Sequence, residues 1–403
     1  MSSILVFLER KPFGGAERAT SLILQLLANE GFNLTVVAGS KNIESLKNVK
    51  WVYSPLLDVP SKLHLWLTLL RPMINQFGEL IKKSDVVYIP RLAYPIIPLA
   101  KKYGKKIVVH LHDYQPMSYC AAAFPSSLKK YDIDLLSDVK ASLQHELLEN
   151  ENVWRAIFCS LVTPLNKLCG IWLSEADEII CVSKKQREII GSAMPELMNR
   201  LRVIYNPLPK QPLVEKDLSN QPSMLYLGGD SYTKGFHMFL KVSCEILKRN
   251  HNVKFQLTRN LKNARNKAVI ETLNKRFDGA YRLLGHLKYK DVLRLHSTNH
   301  AILFPSVWEE PLPYAVVESM LSGTLPIASR VGGVPEIVQG TYAEKMMFTP
   351  GDVEESVRRI EEVLSLSEES LIDIGASLRE SILKKFNVNM IRDQLLDIFS
   401  ESS

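Results

Sequence analysis

The sequence predicts an α/β protein built from two doubly wound, parallel-sheet domains, and three observations carry that expectation. Short apolar runs alternate with helical periodicity through both halves of the chain. A proline-rich polar stretch, Asn206-Pro207-Leu208-Pro209-Lys210-Gln211-Pro212 and onward to Pro222, interrupts the alternation near the middle. Glycines or charged residues follow directly on several of the apolar runs. A βαβ rhythm calls for a parallel sheet covered on both faces, and 403 residues exceed what one core usually supports.

Taken in order, Ile4–Glu9 reads as a strand, Gly14-Gly15-Ala16-Glu17 as a glycine turn opening a helix, and Leu22, Leu24, Leu26 and Leu27 as that helix. Leu34–Ala38, Asp85–Ile89 and Lys106–Leu111 supply further strands, with helices expected from about Lys62 to Lys83 and Tyr94 to Tyr103. Between residues 115 and 174 the alternation stops, and Lys140–Glu149 and Val153–Leu173 read as helices of an insertion. The rhythm returns at Glu178–Ser183 and Arg202–Tyr205, closing a first domain at residues 1–206. Residues 207–222 form the linker. A second domain, 223–385, is expected to place strands at Met224–Gly228, Lys254–Thr258, Tyr281–Leu284, His300–Phe304 and Leu325–Ala328. From Val353 onward the chain reads as helix only. Doubly wound sheets bind ligands outside the carboxyl ends of their strands, so a central cleft between the domains is the expected site.

Composition narrows the class. A chain that is 46% hydrophobic and 23% charged is ordinary globular protein. Five cysteines without a CxxC pair favour reduced, buried thiols over a disulfide framework or a zinc site. The N-terminus is too soon charged for a signal peptide. Trp154 to Leu173 is apolar but interrupted by Arg155, Asn166 and Lys167, which falls short of a membrane span. The expectation is a cytoplasmic protein, peripheral on a membrane at most. Residues 1–206 carry 25 Lys/Arg against 19 Asp/Glu, a balance of +6, and residues 207–403 carry 25 against 24, a balance of +1. A basic first half suits an anionic membrane or acceptor, or is a solvated face. No nucleic-acid motif is present.

The residues that carry chemistry follow the strands. Glu310 and Glu318 lie eight positions apart across a helix start at Leu312-Pro313-Tyr314. Proline suits a first helical turn. The N–H groups of Tyr314, Ala315 and Val316 are expected to face an anion there, with the dipole behind them. Lys234 lies in Gly228-Gly229-Asp230-Ser231-Tyr232-Thr233-Lys234-Gly235, where a lysine would neutralise charge on a leaving phosphate, or be a surface residue in a turn. Gly14 and Gly15 permit close backbone approach of a ligand, and their spacing is not the GxGxxG of a dinucleotide site. His110 and His112 share a strand face by alternation. His110 reads as a core residue; Asp113 either orients His112 or caps the next turn. Glu17 either complements the helix dipole or serves the glycine loop. No Asp-x-Asp flanked by strands and no Cys/His set suggests a metal.

The stretch from Glu310 to Glu318, with Val331-Gly332-Gly333-Val334-Pro335-Glu336-Ile337-Val338 beyond it, resembles the E-x7-E region and glycine loop of the retaining glycosyltransferases of family 4, which have the two-domain GT-B fold. The resemblance implies that Glu310 contacts a donor sugar, Glu318 the nucleotide ribose, and Lys234 the diphosphate. It also implies that Gly14-Gly15 and His112 approach the donor, that no metal is needed, and that residues 386–403 form a helix crossing back to the first domain. One departure stands out: the family's arginine directly after Gly228 is here Gly229. Arg259, after the strand Phe255–Thr258, is a candidate to replace it, or is a plain surface residue. The activity implied is retaining transfer of a hexose from a nucleoside-diphosphate sugar to a glycan or lipid-linked acceptor bound by residues 1–206. The alternatives are an epimerase or sugar-phosphate synthase on the same fold, or a weakened sugar-nucleotide binder. Lys101-Lys102-Tyr103-Gly104-Lys105-Lys106 and Lys129-Lys130, with the insertion, either touch lipid head groups or form ordinary helix surface.

Overall fold

Ser3–Leu8 forms the first strand, β1, because four consecutive apolar residues, Ile4 to Phe7, are buried on both of its faces. Around it lie β2 (Asn33–Ala38), β3 (Val49–Tyr53), β4 (Val86–Ile89), β5 (Lys106–Leu111), β6 (Glu178–Cys181) and β7 (Leu201–Val203). All are parallel, in the order β3-β2-β1-β4-β5-β6-β7. The second sheet comprises β8 (Ser223–Tyr226), β9 (Lys254–Thr258), β10 (Tyr281–Gly285), β11 (Ala301–Phe304), β12 (Leu325–Ser329) and β13 (Met347–Phe348). It is again wholly parallel, in the order β10-β9-β8-β11-β12-β13. This computed structural model describes residues 2–9, 14–41, 46–70, 72–125, 135–211, 215–218, 221–249 and 251–400.

The chain divides into two compact units. One comprises Met1–Ala123, Ser127–Leu208 and Phe386–Ser403, the other Pro209–Lys385 with Phe124–Ser126. The dividing point Leu208/Pro209 falls in the proline-rich stretch. The final helix, Val388–Phe399, packs on the first sheet through Ile391, Leu395 and Phe399. The Phe399 ring meets Tyr88 of β4 edge-on at 5.0 Å. Aromatic pairs of this geometry add roughly 0.5–1.5 kcal/mol beyond the area they bury.

Several elements differ from the sequence expectation. The helix expected from Lys62 to Lys83 is three pieces: Lys62–Leu69, a 3-10 turn Pro72–Phe77, and Gly78–Lys82. Pro72 supplies no N–H and breaks the ladder. The run Val153–Leu173 is likewise broken at Thr163–Asn166, a 3-10 turn carrying Pro164. β3 was not expected because Val49-Lys50-Trp51-Val52-Tyr53 has no buried residue, being an edge strand. β13 escapes any pattern at two residues.

Candidate functional site

In each sheet the strand order reverses once, between β1 and β4 in the first and between β8 and β11 in the second. The loops leaving two such strands diverge to opposite faces and leave a crevice at the carboxyl ends. In the second unit those loops are residues 227–235 after β8 and 305–313 after β11. They carry Lys234 and Glu310, and the two side chains form an ion pair, Nζ to Oε1. Glu310 is buried while Lys234 keeps a third of its side chain exposed. Lys234 also sits 5.4 Å from the centre of the Trp308 ring, within cation–π range.

The backbone holds this pair tightly. Thr233 O accepts both the Val307 N–H (3.0 Å) and the Ser306 hydroxyl (3.0 Å), which stitches the two loops together. Gly235 has φ +77°, and a Cβ there would lie 1.8 Å from Pro305 O, so only glycine fits. Gly228 is required for a different reason: a Cβ would lie 2.2 Å from the Tyr226 hydroxyl, which donates to Lys234 O. Glu310 is fixed from below by the loop after β12. Gly333 N–H donates to Glu310 O at 2.9 Å, and a Cβ on Gly332 (φ +48°) would lie 1.8 Å from that same oxygen. Glu309, to which sequence reasoning gave no role, accepts the Gly332 N–H with its buried carboxylate.

Pro313 is the N-cap of the helix Tyr314–Leu321, not its first residue. The consequence corrects the amide cradle. Val316 N–H already donates to Pro313 O at 3.1 Å, so it is not presented at the helix start together with those of Tyr314 and Ala315. Leu312, Pro313 and Tyr314 are buried, and Glu318 lies one turn further on, 8% exposed, on the same helix.

Arg259 leaves the end of β9 with φ +68°, a left-handed conformation unusual for a residue with a side chain. Its N–H donates to Gly285 O at 2.5 Å. A Cβ placed on Gly229 would lie 3.4 Å from Arg259 Cβ and 3.6 Å from its Cδ, so the arginine stem passes over the bare face of Gly229. Asp230 Oδ2 ties the two loops by accepting the Asn263 N–H at 2.8 Å. The Arg259 guanidinium is exposed and has no hydrogen bond or ion pair among the described residues.

In the first unit the corresponding crevice holds Gly14, Gly15 and Glu17 after β1, and Arg91 after β4. Gly15 opens the helix Gly15–Asn29, and Gly14 is extended, with a Cβ there 3.0 Å from Glu17 Oε2. Glu17 therefore does more than complement a dipole: it pairs with Arg91, a residue sequence reasoning missed. Glu9 Oε1 accepts the Leu92 N–H at 2.5 Å in the same cluster, and burial pushes its carboxyl above the usual range. His112 stacks on His110 with ring centres 4.2 Å apart, as their shared strand face requires. His110 Nδ1 meets the Tyr88 hydroxyl at 3.0 Å. Burial, then the neighbouring His110 and Arg91, hold His112 well below the usual histidine range, so it is a neutral ring. Its Nε2 is buried and has no hydrogen-bond partner among the described residues. Asp113 caps the next turn by accepting the Gln115 N–H at 2.9 Å.

The basic run near residue 103 is largely occupied within the first unit. Lys101 pairs with Asp177 (3.0 Å), Lys105 donates to Lys82 O and Lys106 to Ser400 O. Lys129-Lys130 lies outside the described residues. Among the described residues no cluster of three or more His, Cys, Asp or Glu could hold a metal.

Residues 13–211 match the model of Glycosyltransferase Family 4, and residues 211–376 that of Glycosyl transferases group 1. An uncharacterised 42.6 kDa protein of the cps region of Klebsiella pneumoniae is 23% identical, over 99% of this chain and all of its own length. A phosphatidylinositol N-acetylglucosaminyltransferase component of Arabidopsis thaliana is 25% identical over half of this chain and 45% of its own. The crystal structure of Anabaena HepE in complex with UDP-glucose superposes with a TM-score of 0.66 at 17% identity, covering 98% of this chain and 99% of that one.

Proposed function

From the premise that the chain belongs to the glycosyltransferases of family 4, with the GT-B fold, we propose that it moves a hexose from a nucleoside-diphosphate sugar to a glycan or lipid-linked acceptor, with retention of anomeric configuration. The observation that carries this reading is the Lys234–Glu310 pair at the reversal point of the second sheet.

With no donor bound, each group neutralises the other. An arriving diphosphate competes for Lys234, which is the more exposed partner. Once the lysine turns to phosphate, the Glu310 carboxylate is free to accept the hydroxyl protons of the sugar. Lys234 and the dipole of the helix Tyr314–Leu321 then stabilise the charge that grows on the leaving diphosphate. The bond from the anomeric carbon to the diphosphate oxygen breaks, the bond to the acceptor oxygen forms on the same face, and the acceptor proton passes to the departing phosphate. No side chain forms a covalent intermediate, and no metal is assigned a part. Glu318 takes the ribose hydroxyls.

Arg259 supplies the second cation. Because Gly229 has no side chain, the Arg259 stem crosses the space such a side chain would fill, and its guanidinium is unpaired among the described residues. A planar fork suits a diphosphate better than a point charge does. In the first unit, neutral His112 offers a hydrogen bond to a sugar or acceptor hydroxyl, and Gly14-Gly15 lets the backbone approach.

Thermal unfolding in the presence of UDP-, GDP- and ADP-sugars tests the proposal, since a ligand bound only by the native state raises the midpoint. One donor series is expected to do so in the wild type and to do so less in Lys234→Ala. No shift with any donor, together with no transfer to any acceptor, would overturn it.

A further inference from the structure

We infer that the basic rim around the carboxyl ends of β9 and β10 gathers the anionic donor from solution and delivers it to Arg259 by long-range attraction. Residues 254–291 carry ten Lys/Arg against three Asp/Glu, a balance of +7, which equals the formal charge of the whole chain. A count by halves hides this, because the remainder of residues 207–403 has a balance of −6. Nine of the ten cations are exposed and Lys254 is half-buried. None of the ten forms an ion pair among the described residues. Elsewhere in the same unit surface cations are paired: Arg249 meets Glu245, Glu354 and Glu361, and Arg359 meets Glu355 and Glu362. Like charges left together on one surface repel one another, which favours a role for them in attracting something else.

Topology puts part of this charge beside the donor crevice. β9 and β10 end at Thr258 and Gly285, so Arg259, Lys262, Arg265 and Lys288 lie at their carboxyl ends. Lys262 and Arg265 flank the start of the helix Ala264–Arg276, which turns all but Ile270 at least partly outward. The basic loop is tied to the loop that carries Lys234. Asp230 Oδ2 accepts the Asn263 N–H at 2.8 Å and the Asn266 amide at 3.4 Å, so this carboxylate is occupied by amides. Of the three acids in the segment, Glu271 lies half-way along the helix and Asp278 lies in the turn before β10, at the amino end of the sheet. Asp291 is half-buried at the start of the next helix. Arg276 closes the helix Ala264–Arg276, about 16 Å from Arg265 at 1.5 Å per residue.

Magnitudes separate the near cations from the far ones. The screening length is about 10 Å at 0.1 M salt and about 30 Å at 0.01 M. Three charges roughly 10 Å from a dianion then raise its affinity about tenfold at low salt and less than twofold at 0.5 M. Charges a further 16 Å away contribute less than twofold even at low salt. A rim of one sign beside a cleft raises the local concentration of a counter-ion in this manner. The other use of such cations is to guard the exposed edge of β10, the outermost strand of its sheet, against pairing with another chain. That use gives no reason for the charge to crowd the loop tied to Asp230.

The inference rests on the donor reading above, and isothermal titration of the full chain with UDP-, GDP- and ADP-glucose at 0.02, 0.15 and 0.5 M NaCl tests the two separately. The wild type is expected to bind one of the three with an affinity that falls as salt rises, while the corresponding nucleoside binds independently of salt. Lys262→Gln/Arg265→Gln/Lys288→Gln should weaken that donor about tenfold at 0.02 M and less than twofold at 0.5 M, with kcat unchanged. Lys275→Gln/Arg276→Gln should change it less than twofold throughout. A triple variant that follows the wild type at every salt concentration would overturn the inference. So would one whose only change is self-association in sedimentation velocity, which would assign the cations to the β10 edge. In either case donor binding at 0.5 M that is lost in Lys234→Ala would leave the donor reading standing. No binding of any of the three at 0.02 M would overturn both.

Discussion

Lys234 and Glu310, 76 residues apart in sequence, form an ion pair between the two loops that leave the central strands of the second sheet. The carboxylate is buried and the ammonium is partly exposed, so the pair is asymmetric in its access to an arriving ligand. In the proposed reaction the exposed lysine is the member that an arriving anion meets first.

That asymmetry separates two variants. Lys234→Ala should weaken donor binding and lower kcat by roughly two to three orders of magnitude, the usual effect of removing one preorganised electrostatic group. Glu310→Gln releases the lysine, so donor affinity should hold or rise while kcat falls by a similar factor. Steady-state kinetics with donor titration reads both. Equal kcat in wild type and both variants would exclude the pair from the chemistry.

Gly332→Ala should damage the site from behind. The new methyl would stand 1.8 Å from Glu310 O, so the 309–310 loop must move. Overpacking of this kind costs about 1–3 kcal/mol, and turnover should fall further than stability does. Gly340→Ala is the control, since Gly340 also has positive φ (+79°) but nothing within 4 Å. It should lower the unfolding midpoint modestly and leave kcat alone.

Arg259 separates strain from function. Glycine tolerates φ +68°, so Arg259→Gly relieves about 1–2 kcal/mol of left-handed strain, against about 0.4–1 kcal/mol of added unfolded-chain freedom. Stability should hold or rise. Affinity for a nucleoside diphosphate should nonetheless fall about tenfold or more, with little change for the nucleoside alone, and Arg259→Lys should recover part of it. Unaltered diphosphate affinity in Arg259→Gly would return this residue to the plain surface.

Stability should depend on pH through buried histidines in both units, His110 and its stacked neighbour His112 in the first and His296 in the second. Burial holds His110 and His296 down to about 3, against about 6.5 in the unfolded chain. A depressed histidine contributes stability that is complete above the unfolded value and is lost as pH falls toward the folded one. Each therefore removes up to about 1.4 kcal/mol per pH unit below about pH 6.5. Denaturant unfolding across that range checks the slope. His296→Leu should flatten it whatever its absolute stability, and an unchanged slope would mean that this ring does not titrate on unfolding.

How much could be read without coordinates depended on where each residue's partner lies. Strands such as β1 and β11 were legible because a parallel strand buried on both faces must be apolar throughout. β3 was not, because an edge strand carries no buried stripe, and the helix expected to end at Lys83 failed because a single proline outweighed its periodicity. Glu310, Glu318 and Lys234 were singled out by the resemblance of their stretches to a family pattern, since two glutamates eight apart are weak evidence by themselves. Gly332, Glu309 and Arg91 could not be given their roles, since a glycine loop or a lone arginine is uninformative until its neighbour is known.

By itself the sequence determined the class of the chain, its division at the proline-rich stretch, and the residue types at the carboxyl ends of its strands, because these follow from local periodicity and turn chemistry. Only the tertiary structure decided that Lys234 is held by Glu310, that Val316 is spent within its own helix, that Arg259 crosses Gly229, and that the basic loop after β9 is tied to the loop carrying Lys234. The physical reason is common to all four. Each depends on which atoms a sheet topology or a helix packing brings within a few ångströms, and residues far apart in sequence acquire such neighbours only when the chain has folded.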